Sequence, residues 1–350
     1  MQFLASIRAY PMVILLLPLV AAILLFVDPP RYSYAPKKAP NAMQEGLYQR
    51  LRDGGLSGDE LATVGALTLG YKEELDKELK RHFQASGAAH VLAVSGLHTG
   101  IIYGVLVWLL TLGGRIKPLH EERWRRRALS SFIIAVMWGY AWLTGMTPSV
   151  VRAVTMVTVY EVGRMAYRQA FSLNTIAAAA VLILLTHPTD LWSVSFQLSF
   201  SATAAIVIIA NEMGKIIHYD HLKRLRGGKI INWVVGIFVV SIAAQLGTLP
   251  ITMYYFHQTS TYFLLTNLMV LPIATFLVPC GLVSIALGGS VAGLYFSKIT
   301  WSLAWLMNHS VGWIESLPAS TVSATVNGWM IGVYYVLFLL FCTLLLKKAS

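Results

Sequence analysis

TYFLLTNLMVLPIATFLVPCGLVSIALGGS, residues Thr261–Ser290, runs for thirty positions without one Asp, Glu, Lys or Arg. A transmembrane helix needs roughly 20 consecutive, mostly apolar residues, so this stretch has length to spare. Pro272 and Pro279 interrupt it, which leaves two readings open: one kinked helix, or two half-helices around a cavity. Outward from it, further apolar stretches lie at roughly 88–112, 129–147, 149–166, 171–187, 192–210, 230–250, 296–317 and 329–346, with an earlier one over Pro11–Val27. Together they make ten candidate spans.

Composition agrees. The chain has 350 residues, 56% of them hydrophobic and 12% charged, with mean hydropathy +0.63; about a quarter of a soluble domain is charged. These values exclude a soluble enzyme with a single anchor and a disordered or fibrous chain. The apolar stretches also run far past the roughly 10-residue alternating strands of an outer-membrane barrel. The expected fold is an all-α polytopic integral membrane protein of about ten transmembrane helices.

Residues 1–27 read as a retained first span, because no small-x-small cleavage site precedes Pro29 and Pro30. Residues 28–87 read as an outward-facing linker and helix, and residues 88–346 as a multi-helix membrane core. In the linker segment nine basic residues are matched by nine acidic ones. Within it Leu61, Val64, Leu67, Tyr71, Leu75, Leu79 and Phe83 recur at helical spacing, opposite Lys72, Glu73, Asp76 and Lys80. That pattern predicts one amphipathic helix over Asp59–Phe83, lying at the membrane surface. The surplus of the net charge of +11 sits in Arg115–Arg127, Lys215–Lys229, Lys347 and Lys348. Lys- and Arg-rich loops stay cytoplasmic, so both termini are expected in the cytoplasm of a cell whose inner membrane holds the chain. Cys280 and Cys342 both fall in apolar stretches, and neither a disulfide framework nor a Cys metal site is expected.

Polar groups inside spans are costly and so are candidates for function. The second span reads His90-Val-Leu-Ala-Val-Ser95-Gly96-Leu-His98-Thr99-Gly100, and Gly96, Gly100 and Gly104 fall on one face, where they would admit a neighbouring backbone. Arg152 stands just inside the fourth span, Gln197 and Ser201 share a face of the sixth, and Asn267 begins the eighth. Ser241, Gln245, Thr248 and Thr252 form a stripe at the helix period in the seventh. In the expected topology His90, Ser95, Arg152, Gln197, Gln245 and Asn267 lie in the outward halves of their helices, as a mildly cationic vestibule would require. Arg152 is the most demanding, since a guanidinium in a span needs an anion, water or carbonyls.

Two motifs invite other readings. Ser95 with His98 has the spacing of a nucleophile and base, as in an intramembrane serine hydrolase, but the span supplies no Asp or Glu to orient the base. His218-Tyr-Asp220-His221 echoes half a metal motif without further ligand clusters. No metal, other cofactor or catalytic residue is expected.

The block LTLGYKEELDKELKRHFQASGAAHVLAVSGLHTGI (Leu67–Ile101) resembles the signature of the ComEC-type (ComEC/Rec2-related) competence proteins, inner-membrane channels for transforming DNA. Three more blocks follow in the family's order: Pro148-Ser-Val-Val-Arg152-Ala; Ser195-Phe-Gln-Leu-Ser-Phe200; and Ala243-Ala-Gln245-Leu-Gly-Thr-Leu-Pro250 with Tyr255, Phe256, Asn267 and Pro272. The resemblance carries the family's polar positions onto His90, Ser95, His98, Arg152, Gln197, Gln245 and Asn267. It implies passage of single-stranded DNA into the cytoplasm, with a homo-oligomer open as an assembly state. The alternative is a family member adapted to another anionic solute. Full-length relatives add an OB-like domain and often a metallo-β-lactamase-like domain. Neither is expected here, and His187 stands where many relatives have an acidic residue before Pro188. A DNA receptor, a nuclease and, with no P-loop in the chain, an ATP-driven translocase are therefore expected as separate partners. Single-strand tunnels pair cations with aromatic platforms; Trp108, Trp138, Trp142, Trp192 and Trp233 are candidates, although most lie near span ends, where aromatic belts form.

Overall fold

The computed structural model describes residues 11–28, 40–92, 95–111, 123–166, 173–216 and 228–349, and fourteen α-helices are present among them. In chain order they are α1 (Pro11–Phe26), α2 (Ala42–Asp53), α3 (Gly58–Leu69), α4 (Lys77–Ser86), α5 (Ala89–Leu92), α6 (Gly96–Leu110) and α7 (Arg123–Leu143). There follow α8 (Pro148–Met165), α9 (Leu173–Thr186), α10 (Val194–Ile216), α11 (Gly228–Phe256), α12 (Phe263–Leu287), α13 (Val291–Glu315) and α14 (Gly328–Ala349). A 3-10 turn covers Pro188–Trp192, and β1 (Gln258–Ser260) pairs antiparallel with β2 (Thr321–Ser323), Thr259 opposite Val322. The all-α expectation holds.

Among the described residues two helices are long and apolar enough to cross a membrane, α11 with 29 residues and α12 with 25. At 1.5 Å per residue they reach about 43 and 37 Å, against a hydrocarbon core of roughly 30 Å. The 15 residues of α6 and 14 of α9 reach only about 22 and 21 Å. Helices therefore occupy the expected windows, while length and apolarity single out two of them. Between the two readings of 261–290 the structure selects one: α12 runs unbroken through Pro272 and Pro279.

The chain divides into two compact units. One comprises Tyr32–Ala170 and Met269–Ser320. Its centre is α3, in which every residue from Leu61 to Leu69 is buried. The helix expected over Asp59–Phe83 is thus two helices. Gly70, in the left-handed region at φ 71°, ends α3, and its lack of a Cβ makes that geometry cheap. Asp76 then starts α4 by accepting the Glu78 amide at 3.1 Å, and amide hydrogen bonds hold its carboxyl below the usual carboxylate range. The predicted apolar positions are all buried in one cluster with Leu277, Val278, Met307 and Val311 from α12 and α13. A helix buried on every side is a core element, not a surface float; that is the physical reason for the correction. Gly281 of α12 sits so close to α3 that a Cβ would come within 2.8 Å of Thr68. On the rim of this unit Tyr48 stacks on Tyr71 at 4.2 Å and donates to Glu74 at 2.9 Å, and Arg52 reaches Glu74 at 2.8 Å. Burial, with Glu74 as acceptor, pushes the Tyr48 phenol upward.

The other unit comprises Met1–Arg31, Phe171–Leu268 and Thr321–Ser350. Here Ile23 of α1 packs with Ala180, Ile183 and Leu184 of α9 and Phe196 of α10. Gly247 of α11 lies against α10, where a Cβ would stand 2.6 Å from the Ala205 Cβ and 2.7 Å from the Ser201 carbonyl oxygen. Three residues on, Pro250 has no amide N–H, so the carbonyl of Leu246 lacks its intrahelical donor. Tyr334 of α14 donates to Leu246 O at 2.8 Å, and Tyr335 to Gly247 O at 2.8 Å. A phenol from another helix thus takes the place of the missing amide at Leu246.

Candidate functional site

His90, Ser95, His98 and Arg152 fall in the unit built around α3, and Gln197, Ser201, Gln245 and Asn267 in the other. Each group is described within its own unit.

The expected second span does not begin at residue 88. Ser95 is extended (φ −121°, ψ 177°) and caps α6: its Oγ accepts the Leu97 amide at 3.3 Å, while its own N–H donates to His98 Nδ1 at 3.1 Å. This is a capping box with His in the place usually taken by Glu or Gln. With Nδ1 accepting, the neutral ring carries its proton on Nε2. His98 is 0% exposed, and Nε2 has no hydrogen-bond partner among the described residues. Ser95 Oγ also lies 3.2 Å from Nδ1, so the pair that has nucleophile–base spacing also forms the helix cap.

His90, on the single turn α5, is exposed, with Nδ1 3.0 Å from Gly87 O. Gly96 brings α6 to α8, its missing Cβ 3.8 Å from that of Ala153, and the neighbouring Arg152 is only 2% exposed. The packing role expected of the glycines is not seen beyond Gly96: a Cβ at Gly100 or Gly104 would meet nothing within 4 Å, because no described helix crosses that face.

Further along the same helices Glu161 is fully buried. It accepts from Tyr103 at 2.6 Å, Ser130 at 2.6 Å and Arg164 at 3.0 Å, which knots α6, α7 and α8. Every charge there has a partner, the condition for tolerating burial. Tyr103 and Ser130 had no signal in the sequence beyond being polar within a span.

In the other unit, Ser241 accepts from Asn267 Nδ2 at 3.0 Å and Gln245 Nε2 donates to Thr259 at 3.0 Å. The polar stripe of α11 thus joins it to the start of α12 and to β1. Thr248 turns back on its own helix, to Ala244 O at 2.9 Å. Gln197 Nε2 donates to Leu191 O at 3.0 Å. Gln197 and Ser201 line a cavity of about 370 Å³ between α10, α11 and α14, walled by Phe196, Phe200, Tyr254, Tyr255 and Tyr335. Of the tryptophans, Trp108, Trp142 and Trp233 are exposed, Trp138 donates to Thr158 at 3.1 Å, and Trp192 packs beside Ile183. The motif His218–His221 lies outside the described residues, and among those described no group of three His, Cys, Asp or Glu could hold a metal.

Fold and site define a mainly helical protein with, among the described residues, two helices long and apolar enough to cross a membrane, a buried arginine in one unit and a polar, aromatic-walled cavity in the other. A family model described as Competence protein matches residues 67–348, and the chain belongs to the competence protein family. It is 29% identical over 255 residues to ComE operon protein 3 of Bacillus subtilis (strain 168), covering 72% of this chain and 30% of that protein. It is 24% identical over 240 residues to Recombination protein 2 of Haemophilus influenzae, covering 68% and 29%. With Competence protein ComA of Neisseria gonorrhoeae it shares 29% over 156 residues, covering 44% and 22%. The chain thus spans less than a third of the length of these relatives. No solved structure matches it.

Proposed function

We propose that this chain is the membrane core of a DNA-uptake system, a channel through which a single strand enters the cytoplasm. Family membership supports the DNA-uptake role. The observation that carries the channel reading is Arg152 of α8, a guanidinium only 2% exposed in this apolar chain. A guanidinium is kept in so apolar a chain only at a cost, and a phosphate backbone is a cargo that repays it. On this reading Arg152 engages phosphate at the outer mouth, and Gln197, Gln245 and Asn267 brace the path. About ten spans cross the inner membrane, with both termini in the cytoplasm. Large apolar side chains stand exposed around the helices, Phe26 at 86%, Leu25 at 77% and Val291 at 72%, as lipid-facing positions would be. The chain moves its cargo without a chemical step. Separate proteins capture the duplex, degrade one strand and pull the other with ATP.

The test is transformation frequency in a strain deleted for the gene and complemented with wild type, Arg152→Ala or Gln245→Ala, counting DNA bound outside separately from DNA inside. Deletion is expected to abolish entry but not outside binding, and Arg152→Ala to lower entry at least tenfold at normal protein level. Unimpaired entry with Arg152→Ala overturns the role given to that residue; unimpaired entry after deletion, with no second family member in the genome, overturns the channel.

A further inference from the structure

The cavity between α10, α11 and α14 is of a size used for small-molecule sites, and no residue of its wall is charged. Five of the wall residues are aromatic. Phe196 and Phe200 lie with centroids 4.4 Å apart at 37°, and Tyr254 meets Tyr255 edge-on at 5.0 Å. The remaining polar wall is Gln197 and Ser201. The Gln197 amide nitrogen donates to Leu191 O. Rings that offer π-faces, an amide side chain and an absence of charge suit a flat, uncharged molecule with hydrogen-bonding edges. An acyl chain would use neither the amide nor the ring faces, and a phosphate would find no cation.

We infer that this cavity receives a nucleobase of the passing strand, stacked on the Phe200 and Tyr254 rings with its edge toward Gln197. This rests on the reading of single-stranded DNA as cargo. The aromatic platform is then built from Phe and Tyr, not from the tryptophans.

The experiment measures binding of a labelled single-stranded oligodeoxynucleotide to the full chain in lipid nanodiscs, beside an oligonucleotide of equal length with abasic residues. Both carry the same phosphates. Wild type is expected to bind the abasic strand roughly tenfold more weakly at every salt concentration, since stacking on an aromatic side chain is worth that order per base. Phe200→Leu and Tyr254→Leu are expected to lose about the same factor for the normal strand, to leave abasic binding unchanged and to keep the salt slope, which counts phosphates. Tyr254 is 40% exposed, so its ring can be removed without hollowing the core. Equal wild-type affinity for both strands overturns the inference, as does a Tyr254→Leu loss shared equally by both. So does a photoreactive acyl lipid that labels Phe200 or Tyr254 and is not displaced by the oligonucleotide. Wild type that binds neither strand overturns this inference and the channel reading together, a result distinct from both strands binding alike.

Discussion

Ser95 and His98 show how a pair with nucleophile–base spacing also starts a helix. The imidazole Nδ1 accepts the Ser95 amide, and the hydroxyl accepts the Leu97 amide while lying 3.2 Å from the same nitrogen. Capping makes a sharp prediction. Ser95→Ala is expected to cost about 1 kcal/mol, the usual loss when a polar cap becomes alanine, read as a lower melting temperature in detergent. Ser95→Asn keeps an acceptor at the cap and is expected to restore stability and DNA entry, although it has no hydroxyl. An Asn variant that is stable yet fails to admit DNA would show that the hydroxyl does more than cap. At this scale the sequence was partly legible. His90, Ser95, His98 and Arg152 were all marked by their polarity among apolar neighbours, and the structure brings them into one unit. The start of α6 was hidden, because Ala93 and Val94 continue an apolar run and periodicity does not register a cap.

At the scale of elements the decisive contact is between α10 and α11. Gly247 closes that interface, and Pro250 frees the Leu246 carbonyl that Tyr334 covers. Gly247→Ala is expected to destabilise the protein by about 1–3 kcal/mol, the range for overpacking a tight interior. Ala205→Gly is expected to recover only part of it, because the Ser201 carbonyl stays at 2.7 Å from the new methyl. Thermal unfolding of the single and double variants checks both statements, and full recovery would mean that the backbone shifts freely. The glycines evenly spaced on α6 looked like the packing surface, yet the tight approaches are at Gly247 and Gly281. Spacing within a helix shows which residues share a face, but not whether anything crosses it. The break at Gly70 was missed for a related reason. The apolar period of Asp59–Phe83 carries smoothly across it, and only the burial of α3 on all sides distinguishes a core helix from a floating one.

For the whole molecule the prediction concerns its solvent. If the exposed Leu25, Phe26 and Val291 face acyl chains, an alkaline carbonate wash is expected to leave the chain in the membrane pellet and detergent to release it. Release by carbonate alone would argue for a protein held at the surface. The all-α class was the most legible feature, because thirty uncharged, apolar residues in a row are far longer than a strand. Where each helix begins and ends was less so. Apolar windows set an upper limit on length, whereas caps such as Ser95 and turns such as Gly145, at φ 74°, set the actual one.

The phenol on the Leu246 carbonyl also bears on biogenesis. A ribosome finishes α11 long before it reaches Tyr334, so through most of synthesis one carbonyl waits near Pro250 for a donor that does not yet exist. A nascent chain stalled before that point leaves a bare acceptor in lipid, a mark by which membrane quality control can tell an unfinished copy from a finished one.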